Sequence, residues 1–267
     1  MNSSLFSSDM KYWDSLARMA AGHHLEANVA AYKRWEHVRL IRRWGGSLQG
    51  KVVLKTDLYE EAFGEDHFLF WLLNRGAAVI GMDVSPEVVR RARERARALH
   101  KDFHCAMTTD VRRMAFKDAA FDLIISNSTL DNLPFRSVPY ALSELRRILK
   151  PGGVLILTLD NGHNPLYFSG YVLEKLFRTN RHYQDRCYSI QQVKALARQS
   201  RFHIQDTGAI VHLPTPFNKA AIFLTRCQGQ RARRFLRRLI MFFAGAGKCK
   251  RTQRLTGWFL AFKMVKE

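Results

Sequence analysis

Several polar side chains stand where apolar runs end, and their types could serve ligand binding or proton transfer. Asp83 closes the run Ala77–Met82. A carboxylate at the end of a strand can accept both hydrogen bonds of a ribose diol, a geometry shared by nucleotide cofactors of different chemistries. Its plainer role is an acid that favours the N-terminal dipole of the helix it precedes. Asp110 follows Thr108 and Thr109 and precedes Val111. The acid and its apolar neighbour suit the amino group and face of an adenine, or Asp110 is an ordinary N-cap. Ser126, Asn127 and Ser128 follow the run FDLIIS. Small polar groups there leave room for a sulfonium methyl and supply oxygens near it, or they form a polar turn. Asp131 and His163 are the candidate general bases; a turn cap and a loop histidine are their ordinary readings.

The elements that must position these residues are legible from period and punctuation. Val52–Leu54, Ala77–Met82, Phe103–Met107, Phe121–Ser126 and Val154–Leu159 read as buried parallel strands, short and bounded by turn residues. Between them, Ser85 can cap a helix that begins at Pro86 and presents Val88, Ala92, Ala96 and Leu99 on one face. A second helix runs from about Val138 to Leu149 and stops at Lys150-Pro151-Gly152-Gly153. A third opens with Ser189 and Gln192 in capping-box spacing. Alternating strands and helices at this spacing predict an α/β, Rossmann-like, doubly wound sheet with helices on both faces. Before it, Ala27–Trp44 reads as a helix with Val29, Tyr32, Trp35 and Leu40 available for burial, and Gly45, Gly46 and Gly50 mark a boundary. The organisation expected is an N-terminal helical segment over 1–49 and one domain over 50–267. That domain carries two insertions, a substrate cover at 161–188 and a basic amphipathic stretch at 213–256.

The stretches GMDVSPEVVRRAR (81–93), FDLIISNSTLDNLP (121–134) and ELRRILKPGGVLILT (144–158) resemble, in order and spacing, successive signature segments of class I S-adenosylmethionine (SAM)-dependent methyltransferases. The resemblance covers about residues 50–160, and more loosely 185–212 and 257–265. It implies seven strands with the last antiparallel, SAM as cofactor, and methyl transfer as activity. It also implies site residues: Asp83 for the ribose, Asp110 and Val111 for adenine, and Asn127 beside the methionine part; Asp57, Leu58 and Val84 are further candidates for cofactor contact by their position.

That first loop departs from the family pattern. Where a Gly-rich loop would let backbone approach the cofactor, this chain has Lys55-Thr56-Asp57-Leu58-Tyr59-Glu60-Glu61-Ala62-Phe63-Gly64. It is similar to a branch of the family with a Lys-Thr-Asp-Leu loop. Asp57, Glu60 or Glu61 could take the cationic amine of the methionine moiety, and Tyr59 and Phe63 could pack on the sulfonium or adenine. The loop contains no G-x-G-x-x-G, which argues against a dinucleotide dehydrogenase. After the fourth strand there is no Asn/Asp-Pro-Pro-aromatic motif, which disfavours the branch acting on adenine or glutamine amino groups.

The chain of 267 residues has 43 Lys and Arg against 23 Asp and Glu, a net charge of +20. Such a field attracts polyanions without choosing among them. Its four cysteines are far apart, with no C-x-x-C pair, so neither a zinc site nor a disulfide framework is expected. Met1–Met10 lacks the charged start and apolar stretch of a secretory signal. The reading is a cytoplasmic protein, at most peripheral to a membrane. Residues 225–254 contain no Asp or Glu, and Arg231–Phe243 reads as an amphipathic helix, with Phe235, Leu236, Leu239, Ile240, Phe242 and Phe243 opposite Arg233, Arg234, Arg237 and Arg238. Docking on its own domain is the favoured fate of this helix, and contact with an anionic membrane surface its alternative. Tyr167, Phe168, Tyr171, Phe177, Arg178, Arg181, Tyr183 and Arg186 give the substrate-cover stretch an aromatic and basic character, suited to an aromatic or anionic substrate or equally to a helix packed on the sheet, the default reading. The expected acceptor is a small or lipid-linked molecule, with oxygen ranked ahead of nitrogen and carbon. An RNA methyltransferase and a non-catalytic scaffold of the same fold are the alternatives. No RNA-binding module is visible, and the altered loop is what the scaffold reading rests on.

Overall fold

The computed structural model describes residues 3–19, 25–101, 103, 106–169, 172, 186–214, 217–249 and 252–266. The elements that matter for the site are helices α1 (Ser3–Arg18) and α2 (Ala27–Trp44), strand β1 (Val52–Lys55), helices α3 (Tyr59–Phe63) and α4 (Leu69–Leu73), strand β2 (Ala78–Asp83), helix α5 (Pro86–Ala98) and strands β3 (Ala106–Thr108) and β4 (Phe121–Asn127). They continue as α6 (Val138–Ile148), β5 (Leu149–Asp160), α7 (Ile190–Gln199), β6 (Phe202–Ile210), α8 (Phe217–Ala244), α9 (Gln253–Thr256) and β7 (Phe259–Lys266).

The strands form one seven-stranded sheet in the order β3-β2-β1-β4-β5-β7-β6. Strands β1 to β5 pair in parallel, and β7 runs antiparallel between β5 and β6. Alternation along each strand feeds two apolar layers. Val53, Leu123, Ile125 and Ile156 face the layer built by α2, α5 and α8. Leu54, Ile124, Leu155 and Leu157 face the layer built by α6 and α7. Helix α2 therefore shares its core with the sheet through Val29, Tyr32, Leu40, Ile41 and Trp44.

Local chemistry explains the helix starts. Ser85 Oγ accepts the Val88 N–H (3.2 Å) ahead of Pro86 at the first position of α5. Ser189 and Gln192 form the expected reciprocal capping box on α7. Three local expectations are corrected. Leu99 is 43% exposed, because α5 ends at Ala98 and Leu99 is its C-cap. Trp35 is 53% exposed, its ring stacked on Tyr32 and covered by the Arg39 guanidinium at 5.3 Å. The strand after α6 starts at Leu149, so the Pro-Gly-Gly segment enters the sheet, with an irregular register between Phe121 and Leu123.

Of the expected substrate cover, Tyr171, Phe177, Arg178, Arg181 and Tyr183 lie outside the described residues; residues 165–169 are helical. The amphipathic stretch belongs to the 28-residue α8. No helix among the described residues is long and apolar enough to cross a membrane.

Candidate active site

The carboxyl ends of β1, β2, β4 and β5 open into one cavity of about 610 Å³, where ligands bind in open α/β sheets. Its charged lining is strongly biased. Eight acids face it (Asp9, Asp57, Glu60, Asp66, Asp83, Asp110, Asp131 and Asp160) against two cations, Lys33 and Arg112. In a chain of net charge +20, this is a locally anionic, partly desolvated space suited to a cationic ligand.

The first loop is built around a buried ammonium. Lys55 is fully buried. Its Nζ lies 2.7 Å from Glu61 Oε2, 3.5 Å from Asp57 Oδ2, 3.7 Å from Glu60 Oε2 and 4.9 Å from the Phe68 ring centroid. Burial alone would discharge it, but the Glu61, Asp57 and Glu60 charges outweigh that and raise its pKa. Glu61 Oε1 accepts the Phe68 and Leu69 N–H groups (3.3 and 3.1 Å) at the start of α4. Glu61 is thus a structural partner and does not line the cavity.

Asp57 and Glu60 do line it. Asp57 accepts the Tyr59 N–H at 3.0 Å. Burial, and then the neighbouring Glu60 charge, push the Asp57 carboxyl well above its usual range. Glu60 is held well below its usual range: burial opposes this, but Lys33, a hydrogen bond from Asp57 and Lys55 outweigh it. Lys33 of α2 reaches Glu60 Oε1 at 3.3 Å and Asp66 Oδ2 at 2.7 Å. The two carboxyls thus titrate as one coupled pair.

Close approach is supplied by one glycine in the neighbouring strand and one at the end of the loop. A Cβ on Gly81 would meet Leu58 Cδ2 at 2.6 Å and the Phe103 ring at 2.8 Å. Glycine in β2 lets Leu58 tuck beneath the loop, fully buried, with its side chain away from the cavity and its N–H donated to Asp83 Oδ2 at 3.1 Å. At Gly64 a Cβ would meet Asp66 Oδ1 at 2.5 Å and the Glu60 Cα at 3.0 Å.

Asp83 sits at the end of β2 and lines the cavity with Val84 and Met82. It accepts Leu58 N–H and, through Oδ1 at 2.9 Å, Ser85 N–H. Burial lifts its pKa to about 6 against those two hydrogen bonds. Each oxygen keeps capacity for a further donor. Asp110 and Val111 also line the cavity, but the Asp110 carboxylate is forked to its own neighbour, with Arg112 Nε and the terminal nitrogen 2.8 and 2.6 Å from Oδ2. The same guanidinium reaches Asp9 of α1 at 2.9 Å. Asn127 is buried and does not line the cavity; its neighbours Ser128 and Thr129 do. Thr129 Oγ1 lies 2.8 Å from Thr56 Oγ1, which ties the loops after β1 and β4 together.

The two candidate bases are separated. Asp131 is buried against the cavity and accepts the Asp160 N–H at 3.3 Å. His163 lies in a different, smaller cavity beside Ile190 and Lys194. Its Nε2 accepts the Ile190 N–H at 3.0 Å, so it caps α7.

The sequence reading missed the roof. Helix α1 contributes Asp9, Tyr12, Trp13 and Leu16 to the lining. It is pinned by Asp14, whose Oδ1 accepts Ser85 Oγ–H and Glu87 N–H at 2.9 and 3.0 Å, and Trp13 meets the Tyr59 ring edge-on at 6.4 Å. The available signal was the helical spacing of Asp9, Tyr12, Trp13 and Leu16 in a segment read for its serines. Lys33 gave none, since its partners come from a distant loop. Leu25, Tyr167 and Phe259 add apolar surface to the lining.

Comparison with known proteins agrees with this geometry. Residues 60–157 match the family model described as a methyltransferase domain. The magnesium protoporphyrin IX methyltransferase of Synechocystis superposes with a TM-score of 0.62 at 16% identity, over 98% of this chain and 100% of the other. Geranyl diphosphate C-methyltransferase of Streptomyces coelicolor gives 0.56 at 15%, over 86% and 77%. The chain thus has the class I SAM-dependent methyltransferase fold. Among curated relatives, the malonyl-[acyl-carrier protein] O-methyltransferase of Erwinia pyrifoliae is 39% identical over 88 residues, 33% of this chain and 31% of that protein. The chain spans about a third of the length of the curated relatives it matches.

Proposed function

We propose that the protein is a SAM-dependent methyltransferase acting on a small or lipid-linked acceptor, with oxygen the favoured target atom. The observation that carries this reading is the acid-lined cavity at the carboxyl ends of β1, β2 and β4, inside a strongly basic chain. The residues present fit the cofactor: a carboxylate with spare acceptor capacity at Asp83, an anionic pair at Asp57 and Glu60, and apolar surfaces at Met82 and Val111. When bound, SAM supplies an electrophilic methyl on a cationic sulfur.

In this reading Asp83 accepts the ribose hydroxyls, and Val111 and Met82 flank the adenine. Asp57 and Glu60 hold the ammonium. Ser128 and Thr129 stand beside the methionine chain in place of Asn127. Arg112, donating to both Asp110 and Asp9, holds α1 down as a roof that excludes water. The reaction itself is an in-line displacement, so alignment does most of the catalysis. An oxygen acceptor must also lose a proton, and Asp131 is the lining carboxylate assigned that task. The O-methyltransferases among the relatives support the ranking of oxygen.

The test is methyl transfer from tritiated SAM to fractionated cell extract. The reading expects label in the lipid-soluble or small-molecule fraction, and its loss in Asp131→Asn with S-adenosylhomocysteine (SAH) binding retained. Label in RNA alone contradicts the acceptor class. Tight SAH binding with no label in any fraction contradicts catalysis and favours the scaffold.

A further inference from the structure

The outward face of α8 carries more than a docked helix needs. Its inward side is satisfied: Ala232, Leu236 and Ile240 are buried, and Phe243 packs edge-on against Phe217 at 5.9 Å. Arg237 Nε donates to Asn28 Oδ1 (2.9 Å), and Glu26 N–H donates to Asn218 Oδ1 (2.9 Å), so the stretch bends back between residues 218 and 237 and both reach the start of α2. Yet Phe235, Met241 and Phe242 are 57%, 68% and 76% exposed. This differs from the expectation that all the helix's aromatics share one face. At about 100° per residue, Phe235 and Phe242 fall within about 20° of each other and beside Arg231 and Arg238, with Arg234 and Met241 next around the helix. No residue from 225 to 254 is acidic, so nothing along this stretch neutralises the arginines.

We propose that this face of α8 docks the protein on an anionic lipid surface, Phe235 and Phe242 entering the headgroup boundary while Arg231, Arg234 and Arg238 meet lipid phosphates. Charge complementarity chooses an anionic partner, and exposed apolar side chains set between the arginines choose one with an interior to enter. A polyanion bound by charge alone would leave Phe242 and Met241 in water. The proposal does not depend on the reaction assigned above.

The test is flotation of the full chain with vesicles of phosphatidylcholine alone or mixed with phosphatidylglycerol. Binding is expected only with phosphatidylglycerol. It should fall by about tenfold or more in Phe235→Ser/Phe242→Ser and be abolished in Arg231→Glu/Arg234→Glu/Arg238→Glu, with thermal melts of both variants unchanged. No flotation overturns the proposal. So does equal binding to both vesicles, or binding undiminished in the phenylalanine variant. A structured RNA that displaces the protein from phosphatidylglycerol vesicles at equal phosphate concentration also overturns it, in favour of a nucleic-acid surface.

Discussion

The cavity and the outer face of α8 hold opposite charge by different means. In the cavity, eight acids meet two cations, and most of the acids are held by N–H groups or ammonium ions that fix their positions. On α8, arginines project into solvent, and no acid lies between 225 and 254. Charge inside is set by partners and desolvation, which raise the Asp57 and Asp83 carboxyls and lower that of Glu60. Charge outside is additive and screened. The overall +20 therefore reports on the surface and is silent about the cofactor.

Substitutions at the two regions should differ in size and in kind. The largest effect is expected at Lys55. Lys55→Met leaves Glu61 and its neighbours buried without their cation and should cost about 3–5 kcal/mol in urea unfolding near neutral pH. The deficit should shrink in acid as Glu61 takes up a proton, and the added change Glu61→Gln should recover part of it. A loss below about 1 kcal/mol would mean that the loop is not organised around this ammonium.

Next is the pH dependence of Asp83. Its pKa is raised in the folded state to about 6, so the protonated form stabilises the apo protein. That contribution is present below about pH 4 and is lost as pH rises through about 6. Ligand binding should favour the carboxylate, so SAH affinity should fall by about tenfold per unit below pH 6. Calorimetric titration across this range should show the fall, and Asp83→Asn should flatten it. Binding enthalpy should then vary with the ionisation enthalpy of the buffer.

The smallest effect is expected on α8. Phe235→Ser/Phe242→Ser should change stability by less than about 0.5 kcal/mol and leave SAH affinity unaltered. A larger loss would place these rings in packing rather than at a surface.

The same division governs what the sequence made legible. Strand runs, the caps at Ser85 and Ser189, and Asp83 were readable because local pattern and short-range chemistry decide them. The partners of Lys55 were in view within six residues, yet only the fold shows that Leu58 turns under the loop, which Gly81 in the neighbouring strand permits. Asp110 lines the cavity, but its fork to Arg112 depends on a rotamer that spacing does not encode. Asn127 fell one residue away from the lining, within the uncertainty with which a strand end can be read from pattern. The roof formed by α1 is a long-range contact. It is fixed by Asp14 meeting Ser85 and Glu87, and composition alone points elsewhere.

The most direct measurement is thermal unfolding of the wild-type chain and Asp83→Ala with and without SAH. At about 100 times its dissociation constant, ligand adds about 2.7 kcal/mol, or roughly 5–10 °C for a domain of this size. The account predicts that rise in the wild type and its loss in the folded variant. No shift at saturating SAH, or an equal shift in both proteins, would contradict the assignment of the acid-lined cavity as the cofactor site.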